Sequence, residues 1–307
     1  MSDLFTNLKK QDTATFIVTD SGLGGLSIAA ELYERLKKKR YFKAARVIFF
    51  NSSFDNHSGY NKLKSHAEKV SIFTAALNSM FATFRPDVII IGCNTLSVIY
   101  PDTPFSKSTT IPVIEIVDIG VKSVINSLLL KNSQNYHIVI FGTPTTITSS
   151  IYSRKLIAHG IASSCISEIS CSDLADKIEE DNRSEKTQTM VAACVTQASD
   201  AINDKGKHLL ISLNCTHYGY VANLFYESFY KLGYHDLEIV NPNPEMVDVL
   251  FDDLHKPEQP SSETSIEVVS KVSIFPHVMD SIGILLHDSS PATVAAMRHY
   301  TKDERLF

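Results

Sequence analysis

The sequence predicts an α/β protein of two similar lobes, each with a mostly parallel sheet flanked by helices, and an active site in the cleft between them. Three observations predict it: the chain length, the alternation of apolar runs with amphipathic stretches, and a weak internal repeat. At 307 residues the chain exceeds the usual size of one compact core, so two lobes of roughly 100–150 residues each are expected. Hydrophobic residues make up 44% and charged residues 21%. That is the composition of a chain able to bury a sizeable interior, and it excludes the disordered and fibrous classes.

Apolar runs of strand length lie at 15–19, 47–50, 88–91, 113–117, 138–141, 209–213 and 237–240, with helical stretches between them. Such alternation builds a parallel sheet with helices on both faces. After the first run, Ile28, Leu32 and Leu36 recur at helical spacing, and the stretch ends on Lys37, Lys38, Lys39 and Arg40. This basic run reads as a solvated helix end that complements the helix dipole.

The repeat pairs FIVTDSGLGG and RPDVIIIGCNTLS in the first half with HIVIFGTPTT and KHLLISLNCTHYG in the second. Asp20 to Cys93 is a step of 73, and Thr143 to Cys215 a step of 72. The two cysteines therefore take equivalent strand ends of two lobes, and ligands of open α/β sheets bind beyond such ends. One lobe is expected to comprise 1–117 with 236–307, the other 118–235. The segment 255–264 reads as an exposed polar loop, and the tail at 266–300 is apolar enough to fold back onto a lobe.

The formal charge of -5, from 29 basic and 34 acidic side chains, includes no basic stripe, so nucleic acid is not expected as a primary partner. Residues 1–10 lack the apolar core of a signal peptide, and no segment approaches the ~20 apolar residues of a membrane span. A cytoplasmic protein is expected. Cys93, Cys165, Cys171, Cys194 and Cys215 form no CxxC pair and read as free thiols. His57, His66 and the other histidines form no cluster at ligand spacing, so no metal is expected. The glycines of DSGLGG match neither GxGxxG nor a P-loop, and no cofactor is expected.

Each of the two strand-end cysteines precedes small polar residues, as Cys93-Asn94-Thr95 and Cys215-Thr216-His217. At the start of a following helix, backbone N–H groups favour a thiolate and attract a carboxylate ligand. Two such thiols across a cleft suit removal of a proton from one face of a carbon acid and delivery to the other. Asp20 is placed to assist proton transfer at Cys93, or else caps the following helix. His217 is placed to partner Cys215.

The runs DSGLGGLS, CNT at Cys93 and CTHY at Cys215 resemble, in order, the signature blocks of the glutamate racemase family, and IFGTPTTITSSIYSRKL is similar to another of its stretches. The resemblance implies that Cys93 and Cys215 are the acid/base residues, with Asp20 assisting the first and His217 and Glu179 the second. The neighbouring Glu180 leaves two registers for that glutamate. It further implies substrate contacts from Asp20, Ser21, Asn94, Thr95, Thr146, Thr216 and His217, and from Ser58 and Gly59 in the loop after the second strand. Where the family carries Pro-Tyr-Gly, this chain has His57-Ser58-Gly59; Leu96, Gly219 and Asp118 also depart from the family pattern.

The function so implied is racemisation of L- and D-glutamate without a cofactor, supplying D-glutamate for peptidoglycan. The expected partner is a small amino acid rather than nucleic acid or membrane, and a homodimer is compatible with the chain. The alternatives are aspartate racemisation or another isomerisation of the same family, a binding protein that keeps the cleft, and a Cys/His hydrolase. Two matched thiols argue against the last.

Overall fold

Runs of Val, Ile and Phe cannot stay in water, and a strand covered on both faces reads as a continuous apolar run rather than as an alternation. In the computed structural model, which describes residues 5–56, 58–131, 135–202 and 204–307, those runs are the central strands. In chain order the strands are β1 (Thr13–Asp20), β2 (Ala44–Asn51), β3 (Val88–Ile91), β4 (Val113–Glu115), β5 (Tyr136–Gly142), β6 (Ile166–Ser170), β7 (His208–Asn214), β8 (Leu237–Val240), β9 (Glu263–Ser270) and β10 (Thr301–Lys302). The chain divides into two compact units, Met1–Glu115 with Asn243–Phe307, and Ile116–Pro242.

The first unit holds a six-stranded sheet in the order β10-β9-β2-β1-β3-β4, and its strand pairs are parallel. The helix Leu26–Lys39 buries Ile28, Leu32 and Leu36 and leaves Lys37, Lys38 and Lys39 exposed, as the sequence pattern requires. Helix His66–Phe84 starts on a capping box between Ser65 and Glu68. It packs Phe73, Ala76, Leu77 and Met80 into one cluster with Ile89, Ile91 and Cys93. Truncating a side chain such as Leu77 to alanine there costs about 2–5 kcal/mol, so this helix fixes the end of β3 and with it Cys93.

The second unit holds a four-stranded parallel sheet in the order β6-β5-β7-β8. Alternate residues of β7 go to opposite faces: Leu209, Ile211 and Leu213 join one core with Phe225 and Phe229, while Leu210 joins the other with Val124 and Tyr152. In both sheets the order reverses beside one strand, at β1/β3 and at β5/β7. Such switch points leave neighbouring strand ends open to a ligand.

Several sequence expectations are corrected. The run at 113–117 stops being strand at Glu115, because the helix Ile116–Lys131 starts there. The loop expected at 255–264 passes directly into β9, which lies parallel to β2 from Glu263 to Ser270. The return to the first unit falls at Asn243 rather than at 236, because β8 pairs with β7. Strand β6 had no separate expectation; its sequence ISEIS is short and polar at alternate positions. Among the described residues, no helix is long and apolar enough to cross a membrane.

Candidate active site

In the first unit, Thr19 stands opposite Ile91, and the Gly92 N–H donates to the Thr19 carbonyl at 3.0 Å. Continuing that register brings Cys93 opposite Ser21, and their side chains meet, Oγ to Sγ, at 3.1 Å. Cys93 is the residue before the short helix Asn94–Ile99, and the backbone N–H groups of Leu96 and Ser21 also donate to its sulfur. Burial pushes the Cys93 thiol well above its ordinary value, and the Asp20 carboxylate pushes it the same way; the Ser21 and Leu96 donors only partly oppose them. Cys93 therefore rests as a thiol.

Asp20 is 1% exposed, and Gly25 is what admits it. A Cβ on Gly25 would lie 2.9 Å from Asp20 Oδ2 and 3.0 Å from its Cβ, so any side chain there displaces the carboxylate. The last glycine of DSGLGG thus makes room for Asp20. Nor does Asp20 cap the helix that follows: Gly25 occupies that position, without a side-chain cap. Asn94 and Thr95, the first residues after Cys93, are both buried.

In the second unit, Gly142 stands opposite Asn214, so Thr143 comes opposite Cys215 as Ser21 comes opposite Cys93. Measured by register, the repeat step is 72 in both halves, and the partner of Thr143 in the repeat is Ser21, not Asp20. The Thr143 and Thr146 hydroxyls lie 3.1 Å apart, and Thr146 and Thr216 are buried. Cys215 itself is extended, and a 3-10 turn at Thr216–Val221 follows it. The expected helix-start environment is therefore replaced here by a different device.

That device is an imidazole. His217 Nδ1 lies 3.7 Å from the Cys215 sulfur, and its Nε2 lies 2.5 Å from Glu179 Oε1. Burial alone would lower the His217 value, but the Glu179 carboxylate and the Cys215 sulfur outweigh it and raise it well above the ordinary histidine range. His217 is thus held as an imidazolium. The two glutamate registers are also separated: Glu179 faces His217, whereas Glu180 pairs with Lys177 at the surface.

Ser58 and Gly59 are half-buried, and a Cβ on Gly59 would meet nothing within 4 Å; His57 lies outside the described residues. Leu96 is fully buried in the cluster that contains Cys93. A Cβ on Gly219 would fall 2.7 Å from Asn241 Nδ2, so glycine there leaves room for that side chain. Asp118 forms a surface ion pair with Lys155 at 2.7 Å.

Three contributors were not expected. The Cys171 and Cys194 thiols hydrogen-bond to each other and share a core with Cys215. The Tyr218 hydroxyl donates to the Cys171 carbonyl at 3.2 Å, which anchors the turn carrying His217. Their sequence signal was limited to a cysteine count and the Y of CTHY.

Among the described residues no group of three or more His, Cys, Asp or Glu could hold a metal ion. A family model described as Asp/Glu/Hydantoin racemase matches residues 43–223. The chain is 27% identical over 228 residues to "Glutamate racemase 3" of Caldanaerobacter subterraneus subsp. tengcongensis, covering 73% of each protein. It is 27% identical over 207 residues to the glutamate racemase of Fusobacterium nucleatum, covering 66% of this chain and 68% of that one. Among solved structures, the glutamate racemase from Campylobacter jejuni matches with a TM-score of 0.65 at 23% identity, over 89% of this chain and 98% of that one. The Francisella tularensis enzyme in complex with D-glutamate matches with a TM-score of 0.64 at 22% identity, over 90% and 94%. At such identities the structural likeness establishes a shared fold.

Proposed function

The chain belongs to the Asp/Glu/hydantoin racemase family, and we propose that it interconverts L- and D-glutamate without a cofactor, with Cys93 and Cys215 as the two acid/base residues. The observation that carries this reading is the register: each sulfur stands at the same strand-end position of its own sheet, and each has its own proton-handling neighbours. The relatives named glutamate racemase support glutamate as the substrate.

In one direction the Cys215 sulfur, as thiolate, takes the α-proton, and the Cys93 thiol gives its proton to the opposite face of the α-carbon. The cysteines then hold exchanged protonation states, and the reverse reaction runs from there. His217, oriented and charged by Glu179, supplies and receives the proton that resets Cys215. Asp20 is assigned to the α-ammonium group. Its carboxylate is one of the two influences that keep Cys93 protonated, so pairing it with a cation eases ionisation of that thiol when substrate binds. The hydroxyls of Ser21, Thr146 and Thr216 and the amides that open the turns after each cysteine are assigned to the substrate carboxylates. D-Glutamate made in this way would serve peptidoglycan synthesis.

Incubation with single enantiomers of glutamate, aspartate and a neutral amino acid in deuterated water tests the reading. Deuterium should enter the α-carbon of glutamate with loss of optical activity. Glutamate recovered unlabelled and optically pure would refute the proposed reaction.

A further inference from the structure

The residue after the 57–59 loop is the one that enters the core. Tyr60 is 1% exposed; its ring meets Phe54 edge-on at 5.3 Å and Phe73 at 6.5 Å. It belongs to the same cluster as Ile91, Cys93 and Leu96, which fixes the ring beside the end of β3. Among the described residues its hydroxyl oxygen has no hydrogen-bond partner, although it is sealed from solvent. A polar group left in that state costs about 1–3 kcal/mol, whereas phenylalanine would fill the same space without that cost. An unpartnered buried hydroxyl calls for a partner that arises during function.

The cluster contains such a partner. A neutral thiol is a weak acceptor, but a thiolate is a strong one, and Cys93 is close enough for its charge to act on the ionisation of Tyr60. Burial first, and then that charge, push the phenol well above its ordinary value, so the hydroxyl keeps its proton and remains a donor.

We propose that Tyr60 is a positioning residue for Cys93, its phenol hydroxyl donating a hydrogen bond to the Cys93 sulfur when that sulfur is charged. The inference rests on the reading of Cys93 as an acid/base residue. The groups facing the sulfur are the Asp20 carboxylate, the hydroxyl and amide of Ser21 and the amide of Leu96, and Tyr60 shares the buried cluster in which the sulfur lies. Asp20 opposes a negative sulfur, and Tyr60 joins the donors that favour it.

The test is the pH dependence of Cys93 alkylation by iodoacetamide, followed by the mass of the Cys93 peptide in the full-length chain. In Tyr60→Phe, alkylation on the acidic side of the profile should slow about three- to tenfold, the profile moving to higher pH by about half to one unit. Tyr100→Phe, which removes another phenol of the same cluster, should leave the profile in place. Incorporation of 3-fluorotyrosine at position 60, a stronger donor of nearly equal size, should move it to lower pH. Turnover of Tyr60→Phe should lose kcat with KM nearly unchanged. Superimposable profiles for wild type and Tyr60→Phe would overturn the proposal, as would a variant altered only in KM. Alkylation needs no turnover, so a wild-type protein that fails to racemise refutes the proposed function and leaves this test readable.

Discussion

Replacing Glu179 with Gln keeps a hydrogen-bonding group at the His217 ring and removes its charge. In the wild type Nε2 and Oε1 are 2.5 Å apart, with the His217 side chain 6% and the Glu179 side chain 22% exposed. Two unit charges ~4 Å apart in a medium of effective dielectric ~20 interact by about 4 kcal/mol. Partial exposure of Glu179 reduces this, leaving about 2–3 kcal/mol of imidazolium stabilisation at stake, or roughly 30- to 150-fold in proton occupancy. Glu179→Gln should therefore lower kcat by about two orders of magnitude, within the span for a general acid/base, and move the alkaline limb assigned to His217 to lower pH. Stability follows the same sign. His217 is raised well above the ordinary histidine value of 6.5, so its contribution is fully present below about pH 6.5 and is lost as pH rises through the raised value. The difference in urea midpoint between wild type and variant should be largest near about pH 6 and shrink towards alkaline pH. Initial rates across pH, with urea melts at matching pH values, check both. An unchanged kcat and limb in Glu179→Gln would refute the reasoning, and so would an equal loss in Glu180→Gln, whose 49% exposed carboxylate is taken up by Lys177.

Cys93→Ala and Cys215→Ala should each reduce racemisation by several orders of magnitude with near-UV dichroism and melting retained; near-normal turnover in either removes the two-base mechanism. Gly25→Ala should displace Asp20, given the 2.9 Å approach to its Oδ2, and cost at least about tenfold in kcat/KM with the fold intact; wild-type kcat/KM would detach Asp20 from the chemistry. Ser58→Tyr should change the ratio of kcat/KM among glutamate, aspartate and a neutral amino acid, since it adds a large aromatic surface to the loop; three unchanged ratios would show that this loop does not set specificity.

What the sequence revealed, and what it hid, follows from how each feature is encoded. The central strands were legible because burial on both faces demands uninterrupted apolar runs, as at Val88–Ile91 and at 138–141 in β5. Strand β9 was hidden because it opens with Glu263, Thr264 and Ser265, whose pattern is that of a polar loop until the register with β2 is known. Cys93 and Cys215 were legible twice, as strand-end residues of a repeat and as parts of short motifs. The electrostatics of His217 was not, since it depends on a carboxylate 38 positions away and on burial of the ring.

The departures from the family pattern make the same point more sharply. By sequence, Ser58 registers as the loss of a tyrosine, and Leu96 and Gly219 register only as departures from the family pattern. Side-chain neighbours change two of these meanings. Leu96 shares the packed core with Cys93 and Tyr60, and Gly219 makes room for Asn241. Two positions beyond Ser58, the phenol of Tyr60 is buried in that same core. If Ser58 acts on the substrate and Tyr60 on the Cys93 sulfur as proposed, Ser58→Tyr and Tyr60→Phe should act on separate observables: substrate ratios for the first, the Cys93 alkylation profile for the second. If both variants moved the same observable, the two positions would form one site, and the separation argued from the core around Cys93 would fail.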